Sequence, residues 1–190
     1  MVPSMVSTAD PRERLTLAAA KLIHKQGFAS TTLADIAKAA KVALGSVYYY
    51  FRSKDEIAAA IVTKRVADID QLLIKKNTLP DPRSRLEGLI QVWVDDREID
   101  ARYGCPIGSL CYELAKGRGP LSAHAVTPFR ALLDWCEEQF RALGHQQDAP
   151  TLALHLIAAL QGISLVANSL GEPAAILREA AHLKSWIKEL

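Results

Sequence analysis

The stretch that most constrains this chain is Thr31 to Lys54, TTLADIAKAAKVALGSVYYYFRSK. Leu33, Ile36, Ala37 and Ala40 share one face of a helix running from about Leu33 to Ala40, and Thr32 stands where an N-cap belongs. Lys41-Val42-Ala43 breaks the pattern. A second helix, about Leu44 to Tyr50, is too short to form alone, because nucleating a helix costs more than so few residues return. Val42, Val47 and Phe51 can pin it from inside, which leaves Leu44, Gly45, Ser46, Tyr48 and Tyr49 facing outward. Two helices joined by a turn of about three residues form the helix-turn-helix pattern, whose second helix enters the DNA major groove.

The outward face suits a duplex. Gly45 and Ser46 are small enough to bring the helix N-terminus close to base edges, and the Ser46 hydroxyl can donate or accept there. Tyr48 and Tyr49 offer hydroxyls to phosphates and rings to sugars or a thymine methyl. Tyr50 fits that role and packing against the neighbouring helices equally well. Lys54 opens the next helix, where free backbone N–H groups also favour a phosphate.

The run TTLADIAKAAKVALGSVYYYFRSKDEI resembles the DNA-binding signature of TetR-family transcriptional regulators over about Arg14 to Ile61. Two positions depart from that pattern: Lys41 stands where a turn glycine is usual, and Ala43 where a serine cap is usual. The resemblance implies a protein with all-α architecture, built as an N-terminal three-helix DNA-binding domain and a C-terminal helical domain for ligand binding and dimerisation. The expected division is 1–53 for the arm and helix-turn-helix and 54–190 for the rest. The implied DNA contacts are Thr32, Leu44, Gly45, Ser46, Tyr48, Tyr49 and Lys54. It further implies that ligand binding tilts the helix connecting the two parts, so that paired DNA heads no longer match the groove spacing.

The charge distribution agrees with a phosphate-facing N-terminal half. Net charge is only +2, yet residues 1–77 carry 12 Lys and Arg against 7 Asp and Glu, and residues 78–190 carry 11 against 14. Three cysteines, Cys105, Cys111 and Cys136, form no C-x-x-C pair, which argues against a disulfide framework or a zinc site and fits a reducing cytoplasm. The first ten residues lack the basic head and apolar core of a signal peptide and read as a flexible arm.

Along the chain, Asp10-Pro11-Arg12-Glu13 announces a first helix that Gly27 ends. Ser53 to Glu56 is a second capping signal, opening a helix to about Lys76, roughly 34 Å long and able to join two regions. Pro80-Asp81-Pro82 ends it and starts a helix over about Pro82 to Arg102, with Leu86, Leu89, Ile90 and Trp93 inward. A bend at Tyr103 to Gly108 leads to a short helix near Ser109 to Lys116. Gly117-Arg118-Gly119-Pro120 is a loop without the strand or lysine of a phosphate-binding loop. Leu121 to Leu143 reads as one helix, kinked at Pro128.

Ala149 to Gly171 is 23 residues long without a formal charge, the length of a membrane span. His155, Gln161, Asn168 and two serines interrupt it, and its flanks, Asp148 and Glu172, are acidic. No membrane role is expected. A helix buried on several sides, as at a subunit interface, fits better. Leu156, Ala159, Ile163, Val166 and Leu170 form one seam, and Ile176, Ala180, Leu183, Ile187 and Leu190 a second, predicting a four-helix interface in a homodimer through the two C-terminal helices.

Three functions compete. A dimeric, ligand-responsive regulator, most simply a repressor, would read a palindromic operator in double-stranded DNA with two recognition helices about 34–36 Å apart and leave it on binding a small-molecule inducer. An enzyme with a thiol at Cys105 has no H-E-x-x-H, G-x-S-x-G or paired-acid motif behind it, so no catalytic residue, cofactor or metal ligand is assigned. A DNA-bound structural protein that senses nothing differs from the first in having a C-terminal half without a lined cavity. Tyr103-Gly104-Cys105-Pro106-Ile107-Gly108 is also similar to a Gly-Cys-Pro segment of a TetR branch that includes flavonoid- and drug-responsive repressors. Candidate pocket residues are Trp93, Tyr103, Cys105, Cys111, Phe129, Trp135, His155 and Gln161. Core packing is the competing role for Trp93, Phe129 and Trp135, and a buried, inert thiol the competing role for Cys105.

Overall fold

The Asp10 carboxylate accepts from the Arg12 backbone N–H and Pro11 takes the first helical position, which starts α1 (Pro11–Gln26); Gly27, at φ 86°, ends it. In this computed structural model residues 10–117 and 119–190 are described, so all but the last residue of the arm expected over the first ten residues, and Arg118 of the expected Gly117–Pro120 loop, lie outside the described residues. Helix α2 (Leu33–Ala40) opens on a reciprocal cap: Asp35 N–H donates to Thr32 Oγ1 at 3.1 Å, and Thr32 N–H donates to Asp35 Oδ2 at 3.0 Å. The Thr32 hydroxyl, donating to Asp35 Oδ2 at 2.6 Å, and then the Thr32 N–H hold the Asp35 carboxyl below the usual carboxylate range.

Both departures from the family pattern have visible consequences. Lys41 sits in the left-handed region at φ 57°, ψ 46°, where a Cβ costs about 1 kcal/mol. Ala43 leaves α3 (Leu44–Tyr50) without a side-chain cap. What holds this two-turn helix is burial of Val47 and Phe51 in the head core.

Ser53 caps α4 (Lys54–Asn77), and Asp81 caps α5 (Pro82–Asp95). The single helix expected to Arg102 divides at Asp96, whose carbonyl accepts from both Ile99 and Asp100, and resumes as α6 (Arg97–Tyr103). After α7 (Gly108–Ala115), the expected Leu121–Leu143 helix also divides, into α8 (Pro120–Ala125) and α9 (Thr127–Ala142). Pro128 therefore sits in the first turn of a new helix, where its missing N–H breaks no bond, and is not a mid-helix kink. Helices α10 (Ala149–Leu170) and α11 (Pro173–Glu189) complete an all-α chain.

Two hydrophobic cores form, and α4 belongs to both. Ile57, Ala58, Ile61 and Val62 pack in the head core with α1, α2 and α3, while Ile69 and Leu73 pack in the larger core of α5, α6 and α9 to α11. The head core also takes in Leu110 and Leu114 of α7 and Ala125 of α8. The second half of the chain thus builds part of the wall behind the helix-turn-helix.

The expected interface seams are split. Leu156, Ile176, Ala180, Leu183 and Ile187 are buried inside the protomer, and Ala159, Ile163 and Leu190 pack against its main core. Val166 and Leu170 are exposed, and Leu154, Ala158, Gly162 and Leu165 of α10 and Leu177 of α11 are exposed as well. Helix α10 is long and apolar enough to cross a membrane, but it packs against α6, α9 and α11 as one wall of the main core.

The bare N-terminus of α3 predicts a gain. Ala43→Ser supplies a hydroxyl to an uncapped helix and should raise unfolding free energy by about 1 kcal/mol in urea titrations. An unchanged midpoint would mean that tertiary packing already satisfies that terminus.

Candidate DNA-reading head and ligand cavity

The turn fixes α3 against α2, and its outer face is open. Tyr49 is 84% exposed and Tyr48 56%; Leu44 and Gly45 are also exposed, and Ser46 is half-buried. A side chain at Gly45 would meet nothing within 4 Å, so this surface is flat and unobstructed. Tyr50 turns inward, packing against the head core with its ring edge-on to Tyr49 at 5.0 Å. Thr32 is exposed at the start of α2, its hydroxyl 2.6 Å from Asp35 Oδ2.

Lys54 is directed elsewhere than outward. Its ammonium donates to the carbonyls of Phe28 at 2.8 Å, Thr31 at 3.1 Å and Ala29 at 3.4 Å, and lies 4.3 Å from the centroid of the Phe28 ring. The side chain expected to meet a phosphate instead braces the loop between α1 and α2. The same loop is gripped from the other side by Glu113 of α7, whose carboxylate accepts from Phe28 N–H at 2.9 and 3.0 Å and Ala29 N–H at 3.2 Å. Exposed cations flanking α3 are Lys41, in the turn, and Arg52, just beyond the helix.

In the main core a cavity of about 80 Å³ opens between α4, α5, α6 and α9. Ile69 and Leu72 of α4, Leu89 and Val92 of α5 and Leu132 of α9 form its apolar walls. Trp93, Asp96, Asp100 and the turn Cys105-Pro106-Ile107 complete it. Asp100 is 3% exposed and accepts from the Ser164 hydroxyl at 2.8 Å. Burial pushes its carboxyl above the usual carboxylate range; the Ser164 bond opposes this, and neighbouring Asp96 adds to it. The Trp93 indole N–H is buried without an acceptor.

With this geometry in view, comparison with known proteins is decisive for the head. Residues 15–61 match the model of bacterial regulatory proteins of the tetR family. An HTH-type transcriptional regulator of the lacX 3′ region in Lactococcus lactis subsp. lactis is 30% identical over 107 residues, 55% of each chain. A second HTH-type regulator, from Mycobacterium tuberculosis, is 27% identical over 166 residues, 83% of this chain and 84% of its own. The crystal structure of a TetR transcriptional regulator from Legionella pneumophila superposes with a TM-score of 0.83 at 18% identity, over 95% of this chain and 98% of the other. The head thus matches the tetR-family model, and the chain shares the fold of that solved regulator. It spans about half the length of the first curated relatives it matches.

Of the eight residues expected around a pocket in this TetR fold, Trp93 and Cys105 line the cavity, and the Gln161 amide reaches the Cys105 sulfur at 3.5 Å. Gly108 permits that approach, since a side chain there would collide with Gln161 Oε1. The other five lie elsewhere. Tyr103 stacks edge-on to His24 at the junction with the head, and the Cys111 thiol donates to Ala125 O at 2.8 Å between α7 and α8. Phe129 packs on the core, Trp135 donates to Asn77 Oδ1, and exposed His155 leans on Trp186. Reading the sequence missed Asp96, Asp100 and Glu113. Asp100 had a signal: it continues the inward stripe Leu86, Leu89, Trp93, where a carboxylate is out of place. Glu113 had none, because its partners are backbone N–H groups some 85 positions away.

The three cysteines are free and buried. Burial pushes the thiols of Cys111 and Cys136 up to about 12 and raises that of Cys105 as well. Below those values the thiol keeps its proton and is a poor nucleophile. Iodoacetamide at pH 8 should leave the native protein unlabelled by intact mass and add three groups after denaturation in urea. Rapid native labelling at Cys105 would restore a reactive role for it.

Proposed function

We propose that the protein is a dimeric, ligand-responsive transcriptional regulator, acting as a repressor in the cytoplasm. It would read a palindromic operator with α3 and release it when a small molecule enters the cavity. The observation that carries this reading is the link between the two places. The cavity wall Cys105-Pro106-Ile107 runs directly into α7, and α7 carries Glu113, which holds the loop in front of the reading helices. A guest that displaces the wall acts on the head through α7 as well as through α4.

In this reading Gly45, Ser46, Tyr48 and Tyr49 meet base edges, sugars and the backbone, with Thr32 and Leu44 at the margin. Lys41 and Arg52 supply the phosphate-facing charge, and Lys54 positions the loop. The cavity favours sensing over a passive architectural protein. At about 80 Å³ it is smaller than the roughly 300–1,000 Å³ of sites for drug-sized ligands, so a larger inducer must push its walls apart. The relatives are named as transcriptional regulators, which supports a protein without catalysis of its own.

Dimerisation would use the exposed face of α10. Leu165 is 67% exposed, and Gly162 beside it has nothing within 4 Å, room for a second helix to approach closely. Leu165→Asp should yield monomers in sedimentation velocity with unchanged helical circular dichroism, since the side chain supports nothing within the protomer. Intact dimers would place the interface elsewhere.

DNA selected by the wild-type protein from a randomised pool should contain an inverted repeat with half-sites about one helical turn apart. Tyr49→Ala should lose about 1–3 kcal/mol on that site and relax preference at the contacted positions. A pool with no enriched repeat would overturn the regulator reading.

A further inference from the structure

The cavity walls are apolar except at one end. Among the described lining residues there is no lysine, arginine or histidine, and the ionisable side chains are Asp96 and Asp100, with the Cys105 thiol beside them. Asp100 is 97% buried, and only one of its carboxylate oxygens, Oδ2, accepts from a described side chain. His24 is a titratable base whose charge reaches Asp100, and its ring is engaged at 2.7 Å with the Gly104 carbonyl, outside the lining. These are the marks of a site left incomplete by the protein's own groups.

We infer that this cavity takes a small hydrophobic cation, a primary alkylammonium, whose charge is met by Asp100 and Asp96 and whose alkyl chain lies along Ile69, Leu89 and Leu132. This names the inducer class for the sensing reading above and rests on it. The electrostatics select the sign. An anion would face two carboxylates with no countercharge in the lining, and burying such a charge unpaired is costly. An uncharged apolar guest would leave Asp100 a buried acid with a single hydroxyl donor, and an alcohol would add one donor but no countercharge. An ammonium supplies N–H donors to the open oxygen and converts a lone buried charge into a hydrogen-bonded pair. The burial that raises the Asp100 carboxyl marks a carboxylate that gains from a cation beside it. Size sets the rest: a cavity of about 80 Å³ holds a guest on the order of five heavy atoms without expanding.

The test uses three guests of similar length and different charge, n-butylammonium, 1-butanol and butyrate, titrated into the full-length, DNA-free protein by ligand-observed NMR. The ammonium should bind at least about tenfold tighter than the alcohol, and butyrate more weakly than either. Asp100→Asn keeps an acceptor for Ser164 and should bring the ammonium down to the level of the alcohol. Circular dichroism checks its fold. Asp96 is exposed, so Asp96→Asn leaves the core intact and should reduce the ammonium preference even if Asp100→Asn unfolds. Equal or tighter binding of the alcohol or butyrate, no binding of any guest, or an unchanged preference in folded variants would each overturn the inference. With no DNA present, the outcome is separate from the operator test: a protein that selects an inverted repeat yet fails here loses only the ammonium assignment.

Discussion

Between α1 and α2 the chain has no helix to bond within, and five backbone groups there are satisfied by two side chains from other parts of the sequence. Lys54 supplies protons to the carbonyls of Phe28, Ala29 and Thr31, and Glu113 accepts from the N–H groups of Phe28 and Ala29. Bonds to charged groups contribute about 1.5–3 kcal/mol each, so this loop is held more firmly than its surface position implies. The consequence is geometric. Helix α2 starts at the end of this loop, and α3 is fixed to α2 by three residues, so the bearing of the reading face is set by an ammonium on α4 and a carboxylate on α7.

That dependence explains how a weak helix-turn-helix works. The turn carries a non-glycine residue in the left-handed region, and the second helix lacks a cap, together a local cost of about 2 kcal/mol. Val47 and Phe51 offset this by burial in a core shared with α1, α2 and α4, and Leu110, Leu114 and Ala125 close the same core from the C-terminal half. The head is therefore not an independent module. Its core takes in Leu110 and Leu114 of α7, the helix that directly follows the cavity wall Cys105-Pro106-Ile107.

What the sequence disclosed follows from how local each signal is. The caps at Asp10, Thr32, Ser53 and Asp81, the break at Lys41 and the outward Tyr48 and Tyr49 depend on neighbours within a few positions, and all are as expected. The face of α10 was not legible. Leu, Ile, Val and Ala occur on every side of that helix, so spacing alone selects no orientation, and of the expected seam Leu156 and Ile163 face the core while Val166 and Leu170 face outward. The role of Lys54 was hidden for a different reason: its acceptors are backbone carbonyls more than 20 positions upstream, which carry no side-chain signature. The cavity itself is a defect in packing between α4, α5, α6 and α9, and no single segment encodes it.

Asp100 shows where stability and function part in this fold. A carboxylate nearly removed from water, with one hydroxyl donor and a second acid nearby, destabilises the main core relative to an apolar residue of similar size. Trp93 adds a buried N–H without an acceptor on the same cavity. Both costs fall on one small volume, while Leu86, Phe140 and Ile187 elsewhere in the same core are fully buried and apolar. A guest that donates to the Asp100 carboxylate and binds the folded state alone would stabilise it by mass action. On the proposed sensing role, a guest larger than the cavity would widen it at the turn into α7, and its binding energy would be shared between pairing Asp100 and moving the brace on the head. A bundle with an apolar residue at position 100 would be more stable and would have nothing to exchange for that movement.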